Sequence, residues 1–415
     1  MNRKKILLFL SVIGPGIITA NVDNDAGGIT TYSLAGSQFG YSLLWTLIPI
    51  TVALIIIQEM ASRMGVVTGK GLADLIRENF GIKVTFYLMI LLLLTDLGNT
   101  VAEFAGWAAA MEIFGINKYI SVPIGALLIW WLVVKGTYRT VEKVFLVACT
   151  IYVTYIISGF LAHPPWKTIL VQMVVPQISF QTDYLIMLIG VIGTTIAPWM
   201  QFYLQSAIVE KRVEIQQYNI SRLDVILGCI FTDVVAFFII VACAATLFEN
   251  HITVETAKDA ALSLEPLAGK FSAELFAFGL ANASLFAASI LPLATAYYVC
   301  EGFGWEAGIN KTFKEAPQFM WLYTGLIVIG AVSVLIPDAP LLKIMFLSQV
   351  ANGVMLPFVL VFMILLVNDP HLMGDYTNSR FLNLMTWGTI SILIILTFLL
   401  SATLLFPGLV NRIGH

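Results

Sequence analysis

The chain has 415 residues, of which 59% are hydrophobic and 11% charged, with a mean hydropathy of +0.90. Ordinary soluble domains carry about a quarter charged residues, and no globular interior can hide this much apolar surface, so lipid must be the solvent for most of the chain. The net charge of −3, with no basic run and no aromatic–basic interleaving, gives nucleic acid no footing as a partner.

The opening MNRKKILLFLSVIG has the basic start and apolar run of a signal peptide. Gly14-Pro15-Gly16 interrupts the run, however, and the many apolar segments that follow need an anchored first helix. A membrane span takes about 20 mostly apolar residues. That length predicts helices at 6–37, 41–63, 83–113, 119–135, 141–161, 184–209, 222–248, 270–303, 317–337, 340–367 and 382–407. No connection is long enough for a soluble domain, so residues 1–415 read as a single transmembrane domain, all-α and polytopic.

Two spans in corresponding places are broken. The first holds Asn21-Val22-Asp23-Asn24-Asp25-Ala26-Gly27-Gly28, and the sixth holds Gly193-Thr194-Thr195-Ile196-Ala197-Pro198. Five helices separate their starts. That spacing predicts two inverted repeats, about 6–161 and 184–367, with an eleventh helix at 382–407. Paired interrupted helices mark transporter binding sites, because unwound backbone at that depth persists only where it lines a cavity.

With the N-terminus placed in the cytoplasm, sixteen of the 22 Lys and Arg fall on inside segments and six outside. The positive-inside rule therefore predicts a cytoplasmic N-terminus and, after eleven spans, an external C-terminus. A multi-pass plasma membrane protein, in a bacterial inner membrane, is the expected setting.

Asp25 is the sharpest chemical signal. A carboxylate at the bilayer centre costs roughly 2.5–3.5 kcal/mol on insertion scales, and no intramembrane Lys or Arg stands out as its partner, which favours a transported cation. The plainer alternative is a structural carboxylate capping the second half-helix. Asp23 reads equally as a second site charge or a residue at the mouth. Asp233 and Asn282 read as helix–helix hydrogen bonders. Trp130, Trp131 and Trp166 read as interfacial aromatics, and Cys149, Cys229, Cys243 and Cys300 as buried, inert thiols. The four histidines lie in predicted loops or the tail, without metal-ligand spacing. No nucleophile–base pair or hydrolytic metal motif suggests an enzyme, and no cofactor is expected.

The run GPG-x8-D-A-G-G-x2-T from Gly14 resembles the first helix of the NRAMP divalent-metal transporters, whose pattern is GPG-x8-D-P-G-N-x2-T. Further stretches are similar: Q-x4-R-M-G-x2-T-G-K-x-L-A-x3-R from Gln58, A-E-F-x-G from Ala102, L-S-Q-V-x5-L-P-F from Leu347 and L-M-G-D from Leu372. The resemblance implies a LeuT-type inverted-repeat fold. It also implies a metal site built from the first-helix Asp and Asn, a backbone carbonyl and a Met thioether of the sixth helix. Carried onto this chain, those positions are Asp25, Gly28 in place of Asn, Thr194 for the carbonyl and Ala197 in place of Met. Gln349 matches a tenth-helix Gln that can approach the metal.

Thioether sulfur selects softer metals, whereas oxygen and water suit Mg²⁺, Ca²⁺ and Mn²⁺. Losing the Asn and Met predicts a roomier site suited to partly hydrated Mg²⁺, which sheds water reluctantly. That is the pattern of the NRAMP-related magnesium transporters. The family's proton machinery is depleted: its sixth-helix His is Trp199, and its third-helix acidic pair is Thr100 and Glu103. Asp96, seven residues before Glu103 on the same helical face, reads either as a substitute acid or, like Glu103, as a cavity-facing acid with no relay role. The expected function is thus import of divalent ions, Mg²⁺ first and Mn²⁺ also, by alternating access without proton coupling, by a monomer in the bilayer. The competing readings are a proton-coupled Mn²⁺ or Fe²⁺ carrier and a non-transporting sensor on the same fold.

Overall fold

A computed structural model describes residues 14–135, 147 and 149–405. The basic N-terminal stretch with Arg3, Lys4 and Lys5 lies outside the described residues. So do the start of the fifth expected span with Arg139 and Lys143, and the tail with Arg412 and His415.

The described helices follow the predicted spans. The first is split into α1 (Pro15–Asn21) and α2 (Ala26–Phe39) by a single 3-10 turn, Val22–Asn24. Then come α3 (Leu47–Thr68), the short α4 (Leu72–Phe80), α5 (Ile82–Ile113), α6 (Lys118–Lys135), α7 (Val153–Leu161) and a connecting helix α8 (Trp166–Val174). The sixth span is split into α9 (Thr182–Thr195) and α10 (Pro198–Glu210). After it run α11 (Tyr218–Cys243), α12 (Ser272–Phe303), α13 (Pro317–Val334), α14 (Leu341–Val367) and α15 (Arg380–Leu405). Among the described residues, nine helical stretches are long and apolar enough to cross a membrane.

The largest boundary difference is in the second span, expected at 41–63 and found at Leu47–Thr68. Arg63 does not end it, because the guanidinium is tied to Glu59 one turn back at 3.2 Å. The helix stops only at Gly69, whose left-handed φ of 64° lets its N–H close on Gly65.

Burial is inverted relative to a soluble protein. Leu94, Leu127, Trp131 and Phe398 face outward, while Asn21, Asp23, Asn24 and Asp25 are buried. The repeat is visible in the packing. The two 32-residue helices α5 and α12, third and eighth of the spans, lie along one another. The half-helix α2 packs on α11 as α10 packs on α3, the pair obtained by exchanging repeat one for repeat two. The architecture is the expected all-α polytopic fold of LeuT type.

Small residues allow close approach, as in membrane helix pairs generally. A Cβ on Gly16 would meet the Val225 backbone nitrogen at 2.6 Å, and one on Gly193 would meet the Gln349 carbonyl at 2.1 Å. Asp224 of α11 accepts hydrogen bonds from the N–H groups of Gly14 and Gly16, at 3.1 and 2.7 Å, and so fixes the start of α1.

Candidate metal site at the helix breaks

Asp25 leaves the helical conformation (φ −71°, ψ −175°) and caps α2. Its Oδ1 accepts from the Gly28 N–H at 2.6 Å, and its carbonyl accepts from Ile29 at 2.8 Å. The capping role is therefore real, but it commits one carboxylate oxygen and leaves the charge in place. Glu103, reaching across from α5, accepts the Ala26 N–H at 3.2 Å through Oε2, while its Oε1 has no partner. Both carboxyls thus accept backbone N–H groups of the first turn of α2. The positive end of the helix dipole favours negative charge there.

Gly28 contributes its N–H rather than any side-chain ligand. The room vacated by the missing Asn is not open: a Cβ on Gly28 would meet the Asp23 carbonyl at 2.2 Å and the Thr194 hydroxyl at 3.1 Å. At this position the expectation of a roomier site is corrected, because the unwound backbone and Thr194 fill the space. Gly27 is equally constrained, since a Cβ there would fall 1.9 Å from the Gln349 amide nitrogen.

The sixth-helix break supplies neutral oxygen. Pro198 has no N–H to donate to the Thr194 carbonyl four residues earlier, so this carbonyl has no helical partner. The buried Thr194 hydroxyl is likewise unsatisfied. Ala197 caps α10 in extended conformation and presents a methyl group, while its carbonyl accepts from Met200 at 3.2 Å. Trp199 is fully buried beside Tyr203, with ring centroids 6.3 Å apart. Tyr32 of α2 joins the breaks through a 2.8 Å hydrogen bond to Thr195.

Asp25, Gly28, Thr194, Gln349 and Glu103 thus come together, with Ala197 and Trp199 on the adjoining half-helix. Asp23 is no mouth residue. It is 2% exposed, and neither carboxylate oxygen has a hydrogen-bond partner. Asp233, expected to bond between helices, has no such bond for either oxygen. Asp96 is held in a separate polar network. Its Oδ2 accepts from Thr295 and Tyr298 at 3.2 and 3.0 Å, and its Oδ1 accepts from Asn99 at 3.0 Å. Asn99 and Asn352 exchange hydrogen bonds of 2.9 and 3.1 Å, and Asn352 donates to Gln349 Oε1 at 2.9 Å. This chain of bonds orients the Gln349 amide. The sequence signalled the Gln but not its supporting asparagines, which are isolated polar residues in apolar spans.

Sequence reasoning also passed over Met345. Its sulfur accepts the Thr30 hydroxyl at 3.6 Å and lies beside Gly106, whose close neighbour is Ala26. Met345 lines the floor of a cavity of about 720 Å³ that also touches Glu112, Glu255 and Asp338. Away from that cavity, Arg63 clamps the chain by donating to Glu59, to the Tyr376 carbonyl at 2.8 Å and to Asn378 at 2.5 Å. Asp25 is 4% exposed, so the site is closed off from solvent.

The chain matches the family described as Natural resistance-associated macrophage protein-like (Nramp) over residues 16–403. It is 27% identical over 399 residues to the divalent metal cation transporter MntH of Bacillus subtilis, covering 93% of this chain and 90% of that one. It is 29% identical over 408 residues to the MntH of Ralstonia nicotianae, covering 92% and 88%. Its fold is similar to the Eremococcus coleocola manganese transporter solved with an aromatic bis-isothiourea compound. The TM-score there is 0.81 at 22% identity, over 100% of this chain and 93% of that one.

Proposed function

The chain belongs to the Nramp family, and from that premise we propose that it is a divalent metal ion importer whose preferred cargo is partly hydrated Mg²⁺, with Mn²⁺ also carried. It is no enzyme, and the metal is substrate rather than cofactor. The observation that carries the reading is the donor set at the breaks. Asp25, the Thr194 carbonyl and Glu103 offer oxygen, and Ala197 offers only a methyl group.

Hard oxygen donors and retained waters suit Mg²⁺ and Mn²⁺ over softer ions. Asp25 provides the charge, held in place by its cap on α2. Thr194 completes the approach from α9, while Gln349 of α14 holds its oxygen on Asn352 and turns its amide nitrogen toward Gly27. The arginine clamp and the Asp224 anchor of α1 are the contacts that must open on one face. The roof at Met345 is the one that must open on the other.

The reading includes uptake without protons, in a monomer with a cytoplasmic N-terminus. Trp199 cannot titrate, and Asp96 is occupied in positioning the asparagine pair. The driving force is sufficient: a divalent ion falling through 100 mV gains roughly 4.6 kcal/mol, twice the single-charge figure. A second reading, a Mn²⁺ carrier, draws on the names of the relatives and on the thioether of Met345 near Ala26. Uptake into proteoliposomes of the purified chain, comparing Mg²⁺ with Mn²⁺ at two pH values, separates the two. Saturable Mg²⁺ uptake insensitive to pH is the expected result. Mn²⁺ uptake accompanied by proton entry, with no Mg²⁺ uptake, would replace this reading by the second.

A further inference from the structure

The unwound turn of the first span is flanked by two acidic pairs, and the metal site described above uses only one. On the α5 side stand Asp25 and Glu103. On the α11 side stand Asp23 and Asp233, brought together by Asn24, whose amide donates to the Thr232 hydroxyl at 2.6 Å. Asn24 follows Asp23 and Thr232 precedes Asp233 in the chain, so this bond sets the two aspartates beside one another on facing elements.

This second pair is unusual for what it lacks. Asp23 and Asp233 are 2% and 5% exposed, and all four of their oxygens are without a hydrogen-bond partner. The donor that approaches Asp233 is the Thr51 hydroxyl, which gives its proton to the Leu47 carbonyl at 2.7 Å. Neither carboxylate forms an ion pair among the described residues. A neutral oxygen adds to the group: Oδ1 of Asn24, on a fully buried side chain and unsatisfied. By contrast, Asp224, two turns earlier on α11, is satisfied by two backbone N–H groups. Buried polar atoms in native proteins are nearly always paired, and buried charges are paired or coordinate metal.

We infer that Asp23 and Asp233, with the side-chain carbonyl of Asn24, form a second cation site, and that its occupant is a hard divalent ion. The charge decides the valence. A divalent ion neutralises two carboxylates, whereas a monovalent ion would leave one negative charge buried. The oxygen-only donor set decides the hardness. The site depends on the proposed function for the identity of the ion alone, not for its location.

The test is the number of Mn²⁺ ions bound per full-length chain in detergent, measured by calorimetry and by metal analysis after desalting. Wild type should bind two, Asp233→Asn one, Asp25→Asn one, and the double variant none. If Asp233→Asn binds as many ions as wild type, with unchanged affinities, the second site does not exist, whatever Asp25→Asn does. If only Asp25→Asn leaves the count unchanged, the reading of the first site fails and this one stands. Should Asp233→Asn not fold, anomalous diffraction from Mn²⁺-soaked crystals of wild type answers the same question. A peak between Asp23 and Asp233 supports the site, and density at Asp25 alone overturns it.

Discussion

At the break in the first helix the backbone turns out of its ladder among carboxyl groups: Asp25 and Glu103 on one side, Asp23 and Asp233 on the other. At the break in the sixth, from Thr194 to Pro198, no acidic side chain is present. The same interruption thus has two chemistries. One arises from an aspartate that caps the next half-helix, the other from a proline that cannot donate. The acidic side chains gather around the first break, and one of them, Asp233, comes from the second repeat. The second break contributes neutral oxygen and the side chain at Ala197, where softness can be tuned without altering charge.

The largest effect expected from this contrast is at Asp25. Asp25→Asn keeps an oxygen to accept the Gly28 N–H but removes the charge. Metal uptake into proteoliposomes should fall about a hundredfold or more, beyond what loss of a supporting residue causes, with thermal stability unchanged. Asp25→Ala should lose uptake equally and also lose the cap, at a cost of about 1 kcal/mol. Near-normal uptake by either folded variant would move the ion away from the first break.

Next is Gly28→Asn, the change toward the family pattern. Because its Cβ would strike the Asp23 carbonyl, it should disrupt the unwound turn and lower both uptake and melting temperature, instead of restoring a ligand. A stable variant with tightened Mn²⁺ binding would show that the turn adapts readily. Ala197→Met probes the neutral break alone. Cd²⁺ binding by calorimetry should strengthen about tenfold, a gain of about 1.4 kcal/mol, while Mg²⁺ uptake weakens. No change in either would remove Ala197 from the site. Glu103→Gln should have the smallest effect, retaining most Mg²⁺ uptake with no new pH dependence. Because Gln still offers an oxygen at the site, a large loss of flux together with loss of pH dependence would give Glu103 a proton-carrying role.

Much of this arrangement was legible in the chain, because membrane helices are long and apolar and their interruptions stand out. Asp25, Thr194 and Gln349 were found from the two breaks and the family resemblance, and they converge. What the sequence concealed depends on distance between segments far apart in the chain. The Asn99–Asn352 pair that orients Gln349 links residues 253 positions apart. Asp233 carries no local sign that it lies beside Asp23. The missing Asn side chain suggested empty space at Gly28, but only the backbone path shows the Asp23 carbonyl in its place.

The central claim, that the ion at the first break is held by oxygen alone, is tested most directly by X-ray absorption at the manganese edge on the full-length chain loaded with Mn²⁺. The account predicts a first shell of oxygen scatterers only, from carboxylate, carbonyl and retained water. A sulfur scatterer in that shell, which Met345 could supply after a shift of α14, would contradict it and return the preference to softer metals.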